Sequence, residues 1–221
     1  MNIYKKNLDL LTENNVYTKE MEHDACGVGL IASTEGKKSR EVVEYGIEAL
    51  KAVWHRGAVD ADGKTGDGAG IHLEIPKDFF IEKIEVTGHI HDGSDICVGM
   101  IFLPRNDYAS QESCKTIVES ELTKNNFSIY GWRQVPVNPK VLGEKAFQTM
   151  PEIIQVLFKS NDKNLIDKDL ERKIYETRKK IENKAFNLSL NNFYICSISS
   201  KSIIYKGMFL AEAISDFFLD L

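Results

Sequence analysis

The chain has 221 residues, 43% of them hydrophobic and 28% charged, with a formal net charge of −5. That length fits one large domain or two small ones and can bury a core without disulfide or metal staples. The acidic balance, with no basic patch among aromatics, argues against a nucleic-acid partner, and no apolar stretch approaches the ~20 residues of a membrane span.

Residues 1–25 are too polar for the apolar segment of a signal peptide and read as an arm, with at most a short helix near Leu8–Leu11. CGVGLIAS at 26–33 should be a strand, with Val28 and Leu30 on one face. Gly27 and Gly29 fall on the other face, where a backbone or ligand can come close. The spacing of Val42, Val43, Ile47, Leu50 and Trp54 predicts a helix with Ser39 as its N-cap and Gly57 at its end. AVDADGKTGDG at 58–68 is a loop, and AGIHLEIP alternates as a strand should until Pro76 stops it. A short helix over Lys77–Lys83 leads to a turn at VTGHIHDGSD. ICVGMIFLP is apolar almost throughout and suits a central strand covered on both faces. QESCKTIVESELTKNN is an amphipathic helix closing at Asn125-Asn126.

FSIYGWRQVPV returns to strand, Pro139–Phe147 suits a short helix, and PEIIQVLFKS a further strand. The clearest helix is LIDKDLERKIYETRKKIENKAF, with Leu170, Ile174, Thr177 and Ile181 on one stripe and a solvated charged face over 169–184. NNFYICSISSKSIIYKGMFL holds two strands joined at Ser199–Ser202 as a hairpin, and Ala211–Leu221 reads as a helix with no visible stop. Pattern alone gives a single domain of mixed α and β structure.

Three glycine-rich motifs fail their spacing tests. GDGAG at 66–70 lacks the dinucleotide spacing and precedes a strand, where a dinucleotide fingerprint follows one. GAVDADGKT at 57–65 separates its glycines by one residue too many for a phosphate loop. DADGKTGDG has the first acidic positions of a calcium loop but Lys64 at the next ligand position. All three read as one turn-forming loop, in which Asp60, Asp62 and Asp67 bond the loop's own backbone. His89 and His91 have no third ligand beside them and suit a wet loop. Cys26, Cys97, Cys114 and Cys196 are too far apart for a zinc knuckle or redox pair, so free thiols in a reducing cytoplasm are the default. On local composition alone, Cys26 is more often a small buried hydrophobe than a nucleophile.

A wider pattern changes that balance. EHDACGVGLIA, HRGAVDADGKTGDGAGIHLEIPKDFF, GMIFLP, GWRQVPV and FYICSISSKSIIYKGM, in that order, resemble successive blocks of one family. It is the N-terminal class II glutamine amidotransferase domain of glutamate synthase large chains. The likeness runs from about Glu22 to Leu221, and the long HRGA…GDGAG block is its most specific part. It implies an α+β fold, an αββα four-layer sandwich of the N-terminal-nucleophile hydrolase type. Residues 1–25 would be a propeptide arm cut at Ala25–Cys26, and 26–221 the N-terminal part of the amidotransferase domain.

The resemblance implies catalysis by Cys26, with Arg56 and Gly57 shaping the wall of the site for L-glutamine. Glutamine would pass through a Cys26 thioester to glutamate and ammonia, the ammonia then meeting 2-oxoglutarate at a second site. No cofactor is expected within these residues. FMN and an iron–sulfur cluster belong to downstream domains of the large chain, with a small electron-donating subunit as a further partner. The family's arginine block for the substrate carboxylate and its oxyanion block are not found up to Leu221, so this stretch alone is expected to have little glutaminase activity. The competing expectation is a non-catalytic binding module of the same fold.

Overall fold

The computed structural model describes residues 3–13, 27–53 and 58–221. Helix α1 (Ile3–Glu13) is longer than the short helix expected in the arm. Helix α2 (Arg40–Ala52) starts where Ser39 predicts, its hydroxyl accepting the Val42 amide at 3.4 Å. There follow β1 (Ala69–Glu74), α3 (Lys77–Val86), β2 (Cys97–Leu103), α4 (Tyr108–Lys124) and β3 (Phe127–Gln134). After them come α5 (Glu144–Thr149), β4 (Glu152–Ser160), α6 (Asp167–Asn187), β5 (Tyr194–Ser199), β6 (Ser202–Gly207) and α7 (Ile214–Phe217).

Two antiparallel sheets form. One has the order β3-β4-β2-β5, and the other pairs β1 with β6. The first is covered by α4 and α6 on one face and packs against β6 on the other, while α2 packs on β1. Helices and sheets thus stack as the αββα sandwich.

The run at β2 shows why the sequence there has no polar alternation. Cys97, Ile101 and Leu103 enter a core shared with Cys114, Val118 and Leu122 of α4 and Leu170, Ile174 and Ile181 of α6. Val98 and Met100 enter a second core with Ile203 and Tyr205 of β6. Both faces of this strand are covered, so both are apolar. The second core is closed by aromatic rings in edge-on contact. Tyr205 and Phe218 lie 5.0 Å apart by centroid, and Phe217 and Phe218 4.8 Å.

Four expectations need correction. Gly27–Ser33 form no strand and are largely exposed, with Val28 at 90% and Leu30 at 89%. The described ladder of the smaller sheet consists of β1 and β6 alone, and an extended segment with no ladder partner has nothing to satisfy its backbone. The helix expected over Pro139–Phe147 is split into a 3-10 turn at Pro139–Val141 and α5, with Leu142 and Gly143 extended between them. The expected helix over Ala211–Leu221 shrinks to a 3-10 turn at Ala211–Ala213 and the single turn of α7. Beyond it Phe218 bridges Val137, and the Asn138 amide donates to the Phe217 carbonyl at 2.8 Å, bonds that a continued helix could not make.

The expected hairpin is the fourth. β5 and β6 are consecutive, yet each pairs with a strand of a different sheet. A tight hairpin needs left-handed backbone at its turn, and neither Ser200 nor Lys201 adopts it. The serines of β5 instead take the amides of β6. Ser199 Oγ accepts from Lys201 and Ser202, and Ser197 Oγ accepts the Ile204 amide at 3.1 Å. Glu171 of α6 closes this corner. Its carboxylate accepts the Ser200 amide at 2.7 Å, the Ser200 hydroxyl at 2.6 Å and the Ser199 hydroxyl at 2.9 Å.

A buried ion pair ties the end of the chain to the larger sheet. Arg133 Nη2 meets Asp220 Oδ2 at 2.6 Å and Nη1 donates to Gln155 at 2.8 Å, with the guanidinium over the Phe79 ring. Replacing Glu171 by Ala strands three donors at the corner and is expected to lower unfolding free energy by about 1–3 kcal/mol in urea titration. Arg133→Met leaves the Asp220 carboxylate buried without its cation and is expected to cost about 3–5 kcal/mol by the same measurement.

Candidate functional site

A cleft of about 1270 Å³ opens where the two sheets part. Its walls are Asp67–His72 around the start of β1, Leu103–Asp107 from the end of β2, Gln148–Pro151 from the end of α5, Asn191–Tyr194 up to the start of β5 and Lys206–Phe209 from the end of β6. Several polar groups of the wall are already committed. Asp107 caps α4 through the Ser110 amide and hydroxyl, and Lys206 donates to the Tyr194 hydroxyl at 2.6 Å.

The loop that enters this cleft is built by its own acids. Asp62 Oδ1 accepts the amides of Lys64 at 2.9 Å and Thr65 at 2.7 Å, while Oδ2 accepts the Thr65 hydroxyl at 2.6 Å. These donors hold the Asp62 carboxyl well below the usual carboxylate range, the Thr65 hydroxyl first among them. Asp60 accepts the Ala61 amide at 2.6 Å and pairs with Lys145 at 2.7 Å, the Lys145 bond contributing most to its own lowered value. The ends are pinned by a Val59–Gly66 bridge and by the Asp67 amide donating to the Ala58 carbonyl. The expected self-bonding holds for Asp60 and Asp62; Asp67 takes part through its amide and lines the cleft.

Histidines 89 and 91 sit in the loop after α3. His89 Nδ1 contacts the Thr87 hydroxyl at 3.0 Å and His91 Nε2 contacts the Ser94 carbonyl at 2.8 Å. Cys97 and Cys114 are buried between the larger sheet and its helices, and Cys196 between the two sheets. Burial pushes the Cys114 and Cys196 thiols up to about 11 and Cys97 higher still. The described residues hold no group of three or more His, Cys, Asp or Glu suited to a metal ion. Among the described residues no helix is long and apolar enough to cross a membrane.

The sequence matches the family model of class II glutamine amidotransferases over residues 26–221. The chain belongs to that family. This amidotransferase chain is 53% identical over 218 residues to the NADPH glutamate synthase large chain of Azospirillum brasilense. It is 40% identical over 206 residues to ferredoxin-dependent glutamate synthase 1 of Arabidopsis thaliana, and 37% over 201 to ferredoxin-dependent glutamate synthase 2 of a Synechocystis strain. Those alignments cover 99%, 90% and 90% of this chain but only 14%, 12% and 12% of the relatives.

Cys26, Arg56 and Gly57, the residues expected to carry the amidotransferase chemistry, lie outside the described residues. Their immediate neighbours are described. Gly27–Ile31 are exposed, and Ala58 is fixed by the loop bonds above. The residues that sequence reasoning missed are Thr65, Gly143 and Lys145. A glycine interrupting the helical pattern of VLGEKAF was the available signal for the second.

The bonds to Asp62 make loop packing depend on its ionisation. Its value is lowered on folding, so the contribution is present above the unfolded aspartate range and is lost as pH falls through the folded value. The Lys64 and Thr65 amide resonances are expected to stay constant at neutral pH and to shift only under acid conditions below the ordinary aspartate range. In Asp62→Asn that transition should be missing.

Proposed function

We propose that this chain carries the glutaminase site of a glutamate synthase, with Cys26 as nucleophile at the end of a removable leader. The observation that carries the reading is that the family match begins at Cys26 itself. An N-terminal nucleophile supplies its own base. A free thiol titrates near ~8.5 and a free α-amino group near ~8, so at neutral pH a useful fraction of amine is unprotonated and can take the thiol proton. Inside a peptide bond the same nitrogen is an amide with no basic lone pair. Cutting Ala25–Cys26 therefore creates the base, and residues 1–25 act as a leader whose loss activates the rest.

The thiolate of Cys26 attacks the side-chain carbonyl carbon of glutamine. The C–N bond breaks, ammonia leaves with the proton the amine had taken, and a γ-glutamyl thioester remains. Water adds to the thioester, giving glutamate and the free thiol. Arg56 and Gly57 form part of the wall that receives glutamine, next to the loop whose far end, Asp67–Gly68, lines the cleft. The remainder of the large chain takes the ammonia to 2-oxoglutarate, holding the FMN and the iron–sulfur cluster that supply reducing electrons, with a small subunit delivering them. The buried thiols fit a reducing compartment, and we place the enzyme in the cytoplasm.

In the full-length polypeptide, Cys26→Ala is expected to reduce glutamate release from glutamine by at least about a thousandfold. Thiol titration of the native 26–221 region should show one fast-reacting cysteine, with the rest appearing only on denaturation. Full glutamine turnover by the Cys26→Ala protein would refute the assignment.

A further inference from the structure

Helix α5 begins without a cap of its own. Its N-cap residue is Gly143, which has no side chain, and the first-turn amide of Ala146 would be left without a partner. The partner comes from the loop. Thr65 Oγ1 accepts the Ala146 amide at 3.4 Å while donating its own proton to Asp62 Oδ2 at 2.6 Å. Thr65 is 2% exposed, so this hydroxyl has no water to fall back on.

Gly143 is required for space and not for conformation. Its φ of −70° and ψ of 161° suit any residue. A Cβ there would stand 2.3 Å from both Asp62 Oδ2 and Thr65 Oγ1 and 2.6 Å from the Thr65 nitrogen. On the loop's other flank, a Cβ at Gly66 would stand 2.8 Å from the Phe209 carbonyl oxygen, and Phe209 belongs to the core and the cleft wall. The loop is gripped from two sides, with Lys145 to Asp60 as an outer clip.

We propose that Asp62, Thr65 and Gly143 form a positioning knot for the glutamine site, holding Ala58 and Asp67, the two ends of the loop, in register with the cleft. The knot touches no substrate. It acts through the loop ends, Ala58 and Asp67, the latter with Gly68 in the cleft wall. It rests on the glutaminase reading given above. Loss of the knot should therefore weaken recognition of glutamine more than the intrinsic reactivity of the Cys26 sulfur.

The test uses the full-length polypeptide with Thr65→Val, which keeps shape and removes the hydroxyl, and Gly143→Ala. The rate of Cys26 modification is compared for a diazoketone analogue of glutamine and for iodoacetamide, which needs no substrate pocket. The variants should lose on the order of tenfold or more in the diazoketone rate, since small misplacements of positioning groups are costly. Their iodoacetamide rate should stay within about twofold of wild type. Thr65→Ser, which keeps the hydroxyl, should keep the diazoketone rate near wild type. If Thr65→Val does not fold, Asp62→Asn carries the same comparison. Unchanged diazoketone rates, or equal loss with both reagents, would overturn the proposal alone. A wild-type Cys26 that ignores the diazoketone would take down the glutaminase reading together with it.

Discussion

The chain must pass from one sheet to the other between two consecutive strands, and it does so within Ser200 and Lys201. Every donor at that corner needs a partner, because an unmet polar group in a sandwich interior costs more than the corner could recover. Glu171 of α6, a helix of the outermost layer, accepts from the Ser200 amide and the Ser199 and Ser200 hydroxyls, and Ser199 Oγ in turn accepts the Lys201 and Ser202 amides. The carboxylate joins the helix layer to the larger sheet, and Ser199 carries the link on to the start of β6. With β6 held across from β2, Tyr205 reaches the aromatic cluster, β1 has a strand to pair with, and the two sheets part to leave the cleft.

The loop ahead of β1 repeats that logic on a smaller scale. A carboxylate gathers the amides and hydroxyl that a tight turn would otherwise leave unmet, and the surplus capacity of the Thr65 hydroxyl reaches a neighbouring helix. The acidic residues that look like metal ligands in sequence are spent on this internal bonding.

Most regular elements were legible because their periodicity reflects which faces are covered. The stripe of Leu170, Ile174, Thr177 and Ile181 on α6 and the uninterrupted apolar run of β2 are direct records of packing. The failures fall where partners distant in sequence decide. Ser197 and Ser199 intercept the backbone of β6, Asn138 captures Phe217, and Gly143 yields to Thr65; none of these meetings leaves a local period. The proposed site was drawn only from the resemblance. Composition around Cys26 does not separate a reactive thiol from a buried one, and in the function proposed above the difference lies in an amine that the written sequence shows as an amide.

That amine is the central claim. Its most direct test compares two forms of the full-length polypeptide, one beginning at Cys26 and one with residues 1–25 retained by blocking the cut, each confirmed by intact mass. The account predicts that the form beginning at Cys26 releases ammonia from glutamine and that the form keeping the leader does not. Equal turnover by both forms would contradict it.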